Sequence, residues 1–205
     1  MNRVAAYVDG FNLYFGLKEA GFKRYYWLDV EALAGALLKR GQSLVAIHYF
    51  TSRIRDNGRN ALDRKRQATY LDALGVRGIQ LHEGHYLPKD RQCRECGHEW
   101  RDYEEKETDV NIAVQMLADA FDNVYDTALV FSGDSDLTTP IRHIRKRFKD
   151  KRIIVAFPPR RQSSELKRCA NGFLSVGEDK LRDCQLPNAI TNPSGFVLRR
   201  PDTWK

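Results

Sequence analysis

Short apolar runs alternate along the chain with longer segments whose apolar residues recur at helical spacing. Residues 4–8 are apolar at every position, as a strand buried on both faces must be. A loop rich in aromatics and glycine follows. Asp29 then stands where it can cap a helix with Val30, Leu33, Ala34, Leu37 and Leu38 on one face, stopping near Gly41. Residues 44–51 read as a second strand. Residues 59–74 place Leu62, Thr69, Tyr70, Ala73 and Leu74 on one side and Arg64, Lys65 and Arg66 on another, which predicts a basic-faced helix ended by Gly75. A short strand over 79–82 comes next. Helical spacing returns at Asp109, Ile112, Ala113, Met116, Leu117 and Ala120. Residues 127–131 form a fourth strand. After it, Leu137, Ile141, Ile144 and Phe148 mark the inner face of a helix, with Pro140 near the first turn, where it is tolerated. Residues 152–157 make a fifth strand closed by Pro158 and Pro159, and Ser163 or Ser164 can cap a further short helix.

This alternation predicts an α/β fold with a central, mainly parallel sheet flanked by helices. Two stretches break the rhythm. Residues 84–106 are polar and charged and hold Cys93 and Cys96, so they read as an insertion rather than sheet. Residues 185–205 carry Pro187, Pro193 and Pro201 and read as a tail that either packs over the domain or trails from it.

Composition narrows the class. A chain of 205 residues with 42% hydrophobic and 30% charged residues is too apolar for a disordered protein and too charged for a membrane one. No stretch approaches the roughly 20 apolar residues of a spanning helix, and the N-terminus lacks the apolar run of a signal peptide. A soluble, cytoplasmic domain is expected. Thirty-four Lys and Arg against 27 Asp and Glu leave a charge of +7, which favours a polyanionic partner.

Position then turns attention to the acids. Ligands of open parallel sheets bind beyond the carboxyl ends of the strands. Asp9 ends the first strand, Asp134 and Asp136 follow the fourth across Gly133, and Asp109 opens a helix on the same stripe as Ile112 and Met116. Carboxylates gathered at one edge repel one another unless a cation lies between them, and Mg²⁺ or Mn²⁺ takes oxygen ligands of this kind.

Tyr7-Val8-Asp9-Gly10-Phe11-Asn12-Leu13-Tyr14, Glu105-Lys106-Glu107-Thr108-Asp109-Val110 and Phe131-Ser132-Gly133-Asp134-Ser135-Asp136-Leu137 together resemble the NYN-domain family, in its LabA-like branch of PIN-like nucleases. Residues 157–161 and 164–167 are similar to its later segment, so the resemblance covers most of residues 3–186. It implies a PIN-like, Rossmannoid three-layer domain over residues 1–184, with the insertion at about 84–106 and a tail over 185–205. It also implies a metal-dependent nuclease acting on nucleic acid, RNA before DNA. Asp9, Asp109, Asp134 and Asp136 would hold Mg²⁺ or Mn²⁺, with Asn12 and Ser132 as accessory polar residues.

Charge and ring chemistry extend the reading. Lys106 lies beside the acidic blocks, where it could meet a scissile phosphate. Arg53, Arg55, Arg64, Lys65, Arg66, Arg160 and Arg161 are candidates for tracking the phosphate backbone, and Tyr14, Phe15, Tyr25, Tyr26 and Trp27 for stacking bases. Alternatives remain open: a non-cleaving nucleic-acid-binding or regulatory module, and a metal-dependent phosphatase. A phosphatase of the haloacid dehalogenase kind needs a nucleophilic Asp where this chain has Tyr7. An EF-hand from Asp134 would want Gly at Thr139 and Glu at Arg145. Cys93 and Cys96 have the spacing of half a structural Zn²⁺ site, which His98, His82, His85 or a second subunit of a homo-oligomer could complete; an unmetallated cysteine turn and a redox pair are the alternatives.

Overall fold

The apolar run at the N-terminus becomes β1 (Asn2–Asp9), buried from Val4 onward. A computed structural model describes residues 1–205, with the side chains of all but residues 104 and 105. Five further strands join β1 in one sheet: β2 (Gln42–Thr51), β3 (Gln80–Glu83), β6 (Thr127–Phe131), β7 (Arg152–Phe157) and β8 (Gly172–Ser175). Their order is β3-β2-β1-β6-β7-β8, with every neighbour parallel.

Alternation of side chains across the sheet divides the core in two. Val4, Ala6 and Val8 face a layer built from α1 (Gly10–Glu19), α2 (Val30–Ala36), α3 (Ala61–Val76) and α7 (Glu178–Asp183), which contribute Leu13, Leu33, Leu74 and Leu181 among others. Ala5 and Tyr7 face α4 (Thr108–Phe121), α5 (Thr138–Arg147) and α6 (Ser164–Cys169), through residues such as Ile112, Ile141 and Leu166. The result is the expected three-layer α/β fold. Among the described residues, no helix is long and apolar enough to cross a membrane.

Several elements depart from the sequence expectations. The aromatic and glycine-rich loop after β1 is the helix α1. Two glycines and three aromatics blur its periodicity, but the fold requires Gly16, because a Cβ there would sit 2.5 Å from the Pro159 carbonyl oxygen. Helix α3 runs through Gly75, and the turn is made instead by Gly78 at φ +79°. Strand β8 and helix α7 were not foreseen; each is short, and β8 is an edge with alternating exposure.

The stretch expected to be an insertion rather than sheet forms an antiparallel hairpin of its own, β4 (His85–Gln92) with β5 (Glu99–Lys106), outside the main sheet. β4 is exposed at almost every position, so burial imposed no alternation on its sequence. Of the two expectations for the tail, packing is the outcome. β9 (Ala189–Thr191) pairs with β10 (Val197–Arg199), and a final turn delivers Trp204 into a ring cluster with Tyr26, Trp27 and Tyr70.

Candidate functional site

Chain direction across the sheet reverses between β1 and β6, since β2 and β3 extend it one way while β7 and β8 extend it the other. A crevice at the carboxyl ends of the strands is expected at such a point. Asp9 is the last residue of β1, and Ser132 follows β6 directly.

Asp9 has two structural duties. Its Oδ1 accepts the Asn12 backbone N–H at 2.9 Å, capping α1, and its Oδ2 accepts the Ser132 hydroxyl at 2.8 Å. Ser132 Oγ in turn accepts the Asp134 N–H at 3.0 Å, while Asn12 Oδ1 accepts the Gly133 N–H at 2.8 Å. The first turn of α1 and the loop after β6 are thus laced together by both accessory residues of the sequence reading. Gly133 is required here, because a Cβ would lie 2.9 Å from the backbone carbon of Arg161. Asp134 also accepts the Asp136 N–H at 3.0 Å and caps the turn that leads into α5.

The electrostatics of Asp9 show which acids converge. Only 4% exposed, its carboxyl is raised by burial, lowered by the hydrogen bonds from Asn12 and Ser132, and raised again by the charges of Asp109 and Asp134, ending pushed up to about 7. Asp109 occupies the first turn of α4, behind Glu107 at φ +79°, and is half-buried. Asp136 lies at the exposed rim. Among the described residues, no three His, Cys, Asp or Glu side chains close on a common point tightly enough to cage a metal ion as they stand. Mg²⁺ fits such a looser set, because it commonly keeps several waters and takes only one or two carboxylates directly. A carboxyl raised to near neutrality by burial, with two neighbouring acids adding to the shift, is also a group whose ionised form a divalent cation would favour.

The candidate cations are spread unevenly. Arg53 makes a two-pronged pair with Glu83 at 2.9 and 3.0 Å, Arg66 pairs with Asp63 at 2.8 Å, and Arg64 pairs with Asp56. Arg161 pairs with Glu19 of α1, while its Nε is buried without a hydrogen-bond partner. The guanidinium of Arg55 lies over the Tyr103 ring. Lys65 and Arg160 are exposed, the latter at φ +59° just after β7. Lys106 ends β5, half-buried and two residues before α4. Of the candidate stacking rings, Trp27 is fully buried and Tyr25 nearly so, which places both in the core. Tyr14 and Phe15, 41% and 42% exposed, remain accessible.

Cys93 and Cys96 lie at the tip of the β4–β5 hairpin, where Cys93 N–H bonds the His98 carbonyl at 2.8 Å and Gly97 turns at φ +70°. Backbone N–H groups of Cys96 and Glu95 point at the Cys93 sulfur and hold its thiol below the ordinary range. His98 stacks on Trp100. Of the suggested completing ligands, His82 contacts His48 at 2.9 Å and stacks on Phe50, and His85 pairs with Glu107 at 3.1 Å. Cys169 and Cys184 are buried on opposite faces of the main sheet.

Two features escaped the sequence reading. Asp119 is a buried acid on α4 that accepts the Tyr7 hydroxyl at 2.6 Å and Gln115 at 2.8 Å, with His48 Nε2 at 3.1 Å but poorly angled for a hydrogen bond. Its place on the apolar stripe of α4 was the available signal. The second is a cavity of ≈ 420 Å³ between α1, α3 and the tail, reaching Gly10 beside the acids. No sequence pattern marks it, because its walls come from six separate segments.

The NYN domain family model matches residues 3–178. A curated relative from Pseudomonas putida (strain DSM 28022 / S16), named 6-hydroxy-3-succinoylpyridine 3-monooxygenase HspA, is 28% identical over 245 aligned positions, covering 98% of this chain and 75% of that protein. The fold is similar to the crystal structure of a protein of unknown function from Vibrio parahaemolyticus RIMD 2210633, with a TM-score of 0.58 and 22% identity across 90% of this chain and 96% of that one. With the family model spanning most of its length, and a PIN-like sheet with acids at the switch point to match, the chain belongs to the NYN domain family.

Proposed function

We propose that the protein is a metal-dependent nuclease that hydrolyses phosphodiester bonds, RNA being the preferred substrate. The observation that carries this is Asp9: a carboxyl at the switch point raised by burial and further by the charges of Asp109 and Asp134, and fixed in orientation by Asn12 and Ser132. Asp9, Asp134 and Asp109 would hold the Mg²⁺ or Mn²⁺, with Asp136 beside them at the rim. When bound, such a cation supplies a more acidic water and a counter-charge for phosphate oxygens. The chain's own residues do the rest. Ser132 keeps Asp9 from rotating, Asp136 at the rim can take a proton from the attacking water, and Lys106 and Arg160 supply positive charge to the incoming strand.

Labelled single-stranded RNA and DNA, incubated with Mg²⁺ or Mn²⁺, test this directly. Cleavage should need the cation and fall by at least about 10²-fold in Asp9→Asn and Asp134→Asn. Cleavage that survives both substitutions refutes the assignment, and tight RNA binding without cleavage in any cation favours a regulatory module.

A second reading draws on the Pseudomonas relative, named for oxygenation of a substituted pyridine. The aromatic-lined cavity that reaches Gly10, next to Asp9, favours it, since such a space suits a small ring compound. Consumption of a hydroxypyridine bearing a succinoyl side chain that depends on dioxygen and an added reductant would establish that reading in place of the first.

A further inference from the structure

The cavity between α1 and α3 adjoins the acidic centre and is walled by rings. Tyr14 and Tyr26 approach with centroids 5.0 Å apart, Tyr26 and Tyr70 each meet the edge or face of Trp204 near 6 Å, and Tyr49 and Tyr86 complete the aromatic lining. Its volume of ≈ 420 Å³ lies within the roughly 300–1,000 Å³ of small-ligand sites. Lys18 and Lys23 stand on its lining and are otherwise exposed to solvent, while Arg66 on the same lining is paired with Asp63, so the border of the aromatic interior is charged with a cationic excess.

Its connection to Asp9 runs directly through the chain. Gly10 lines the cavity and is the residue after Asp9; a Cβ at Gly10 would meet the Tyr49 ring at 2.7 Å and the Phe50 carbonyl oxygen at the same distance. Only glycine fits against Tyr49 and the Phe50 carbonyl at this position. Tyr49, on the far side of that backbone, feels the charge of Asp9. A ring held among these aromatics therefore lies against the backbone that carries Asp9.

We infer that this cavity is a base-binding pocket, which takes one unstacked nucleobase of the substrate strand and thereby sets the phosphodiester next to it against Asp9, Asp109 and Asp134. The inference rests on the nuclease reading and adds to it a preference for single-stranded or splayed nucleotides, because a base inside a duplex cannot enter. Every base offers a π-face, so the rings give affinity for bases in general.

The test separates binding from cutting. Full-length protein in EDTA is titrated with a single-stranded RNA octamer carrying one 2-aminopurine, and with the same octamer made abasic at that position. The expected result is quenched 2-aminopurine emission and an affinity at least about tenfold higher for the octamer with the base. Ile54→Trp, which fills the cavity, and Tyr14→Ala, which removes a wall, should each abolish that difference while leaving the weaker affinity for the abasic strand in place. Equal binding of the two strands, or a difference that persists in both variants, overturns the inference. Displacement of nothing but a pyridine carboxylic acid by cavity filling, with RNA binding unchanged, overturns it in favour of a small-molecule site. Cleavage of RNA with no dependence on the base leaves the nuclease and removes the pocket; base selectivity lost in Ile54→Trp, with no cleavage in any cation, leaves the pocket and removes the nuclease.

Discussion

Asp9 concentrates the chemistry of the molecule in one carboxyl. Because its native value of about 7 lies above the ordinary 3.8, the folded state binds more protons than the unfolded state between those values. Its contribution to stability is therefore fully present below 3.8 and lost as pH rises through 7. In metal-free protein, the melting temperature of the wild type relative to Asp9→Asn should fall as pH is raised from 5.5 to 8, and a flat difference would refute the shift. Protons and cations compete for the same oxygens, so the stabilisation gained on adding Mg²⁺ should be larger at pH 8 than at pH 6 in a thermal melt. Sequence position alone pointed to Asp9, Asp134 and Asp109, because strand ends and helix starts are where a parallel sheet gathers polar groups. It gave no account of Arg53, Arg64 and Arg161, whose acidic partners lie in other segments, nor of Arg66, which pairs with Asp63 one turn earlier on α3.

At the scale of elements, α1 shows how close packing can hide a helix. Gly10 and Gly16 weaken its helix propensity, yet both are needed where the backbone runs against Tyr49, Phe50 and Pro159. Gly16→Ala should destabilise the fold by about 1–3 kcal/mol through overpacking against the Pro159 carbonyl. Gly35→Ala, in α2 with nothing within 4 Å of the new Cβ, should instead stabilise it by about 0.5–1 kcal/mol. Chemical denaturation of both variants checks the pair, and a like sign for the two would contradict the packing account. Elements with one buried face, such as α4 and α5, were legible because burial writes its period into the chain. The β4–β5 hairpin was not, since solvent on both faces leaves hydrogen bonding as its organiser and backbone groups have no sequence spelling.

For the whole molecule, the C-terminal tail links stability to the candidate substrate pocket. Trp204, only 8% exposed, is held between Tyr26, Trp27 and Tyr70 by a segment that lies beyond the matched family region. Trp204→Ala should cost about 3–5 kcal/mol in urea unfolding. An effect near zero would mean that the tail adds nothing to the core. Hydrophobic alternation sufficed to read the class of fold, five of the six main strands and the strand ends at which acids collect, because these follow from local periodicity and from the geometry common to parallel sheets. Which acids raise one another, which arginines are already paired, and where a ring-lined cavity opens are relations among residues far apart in the chain. They arise only when separate segments pack against one another, since distance and burial, rather than order along the backbone, set the strength of charge and ring interactions.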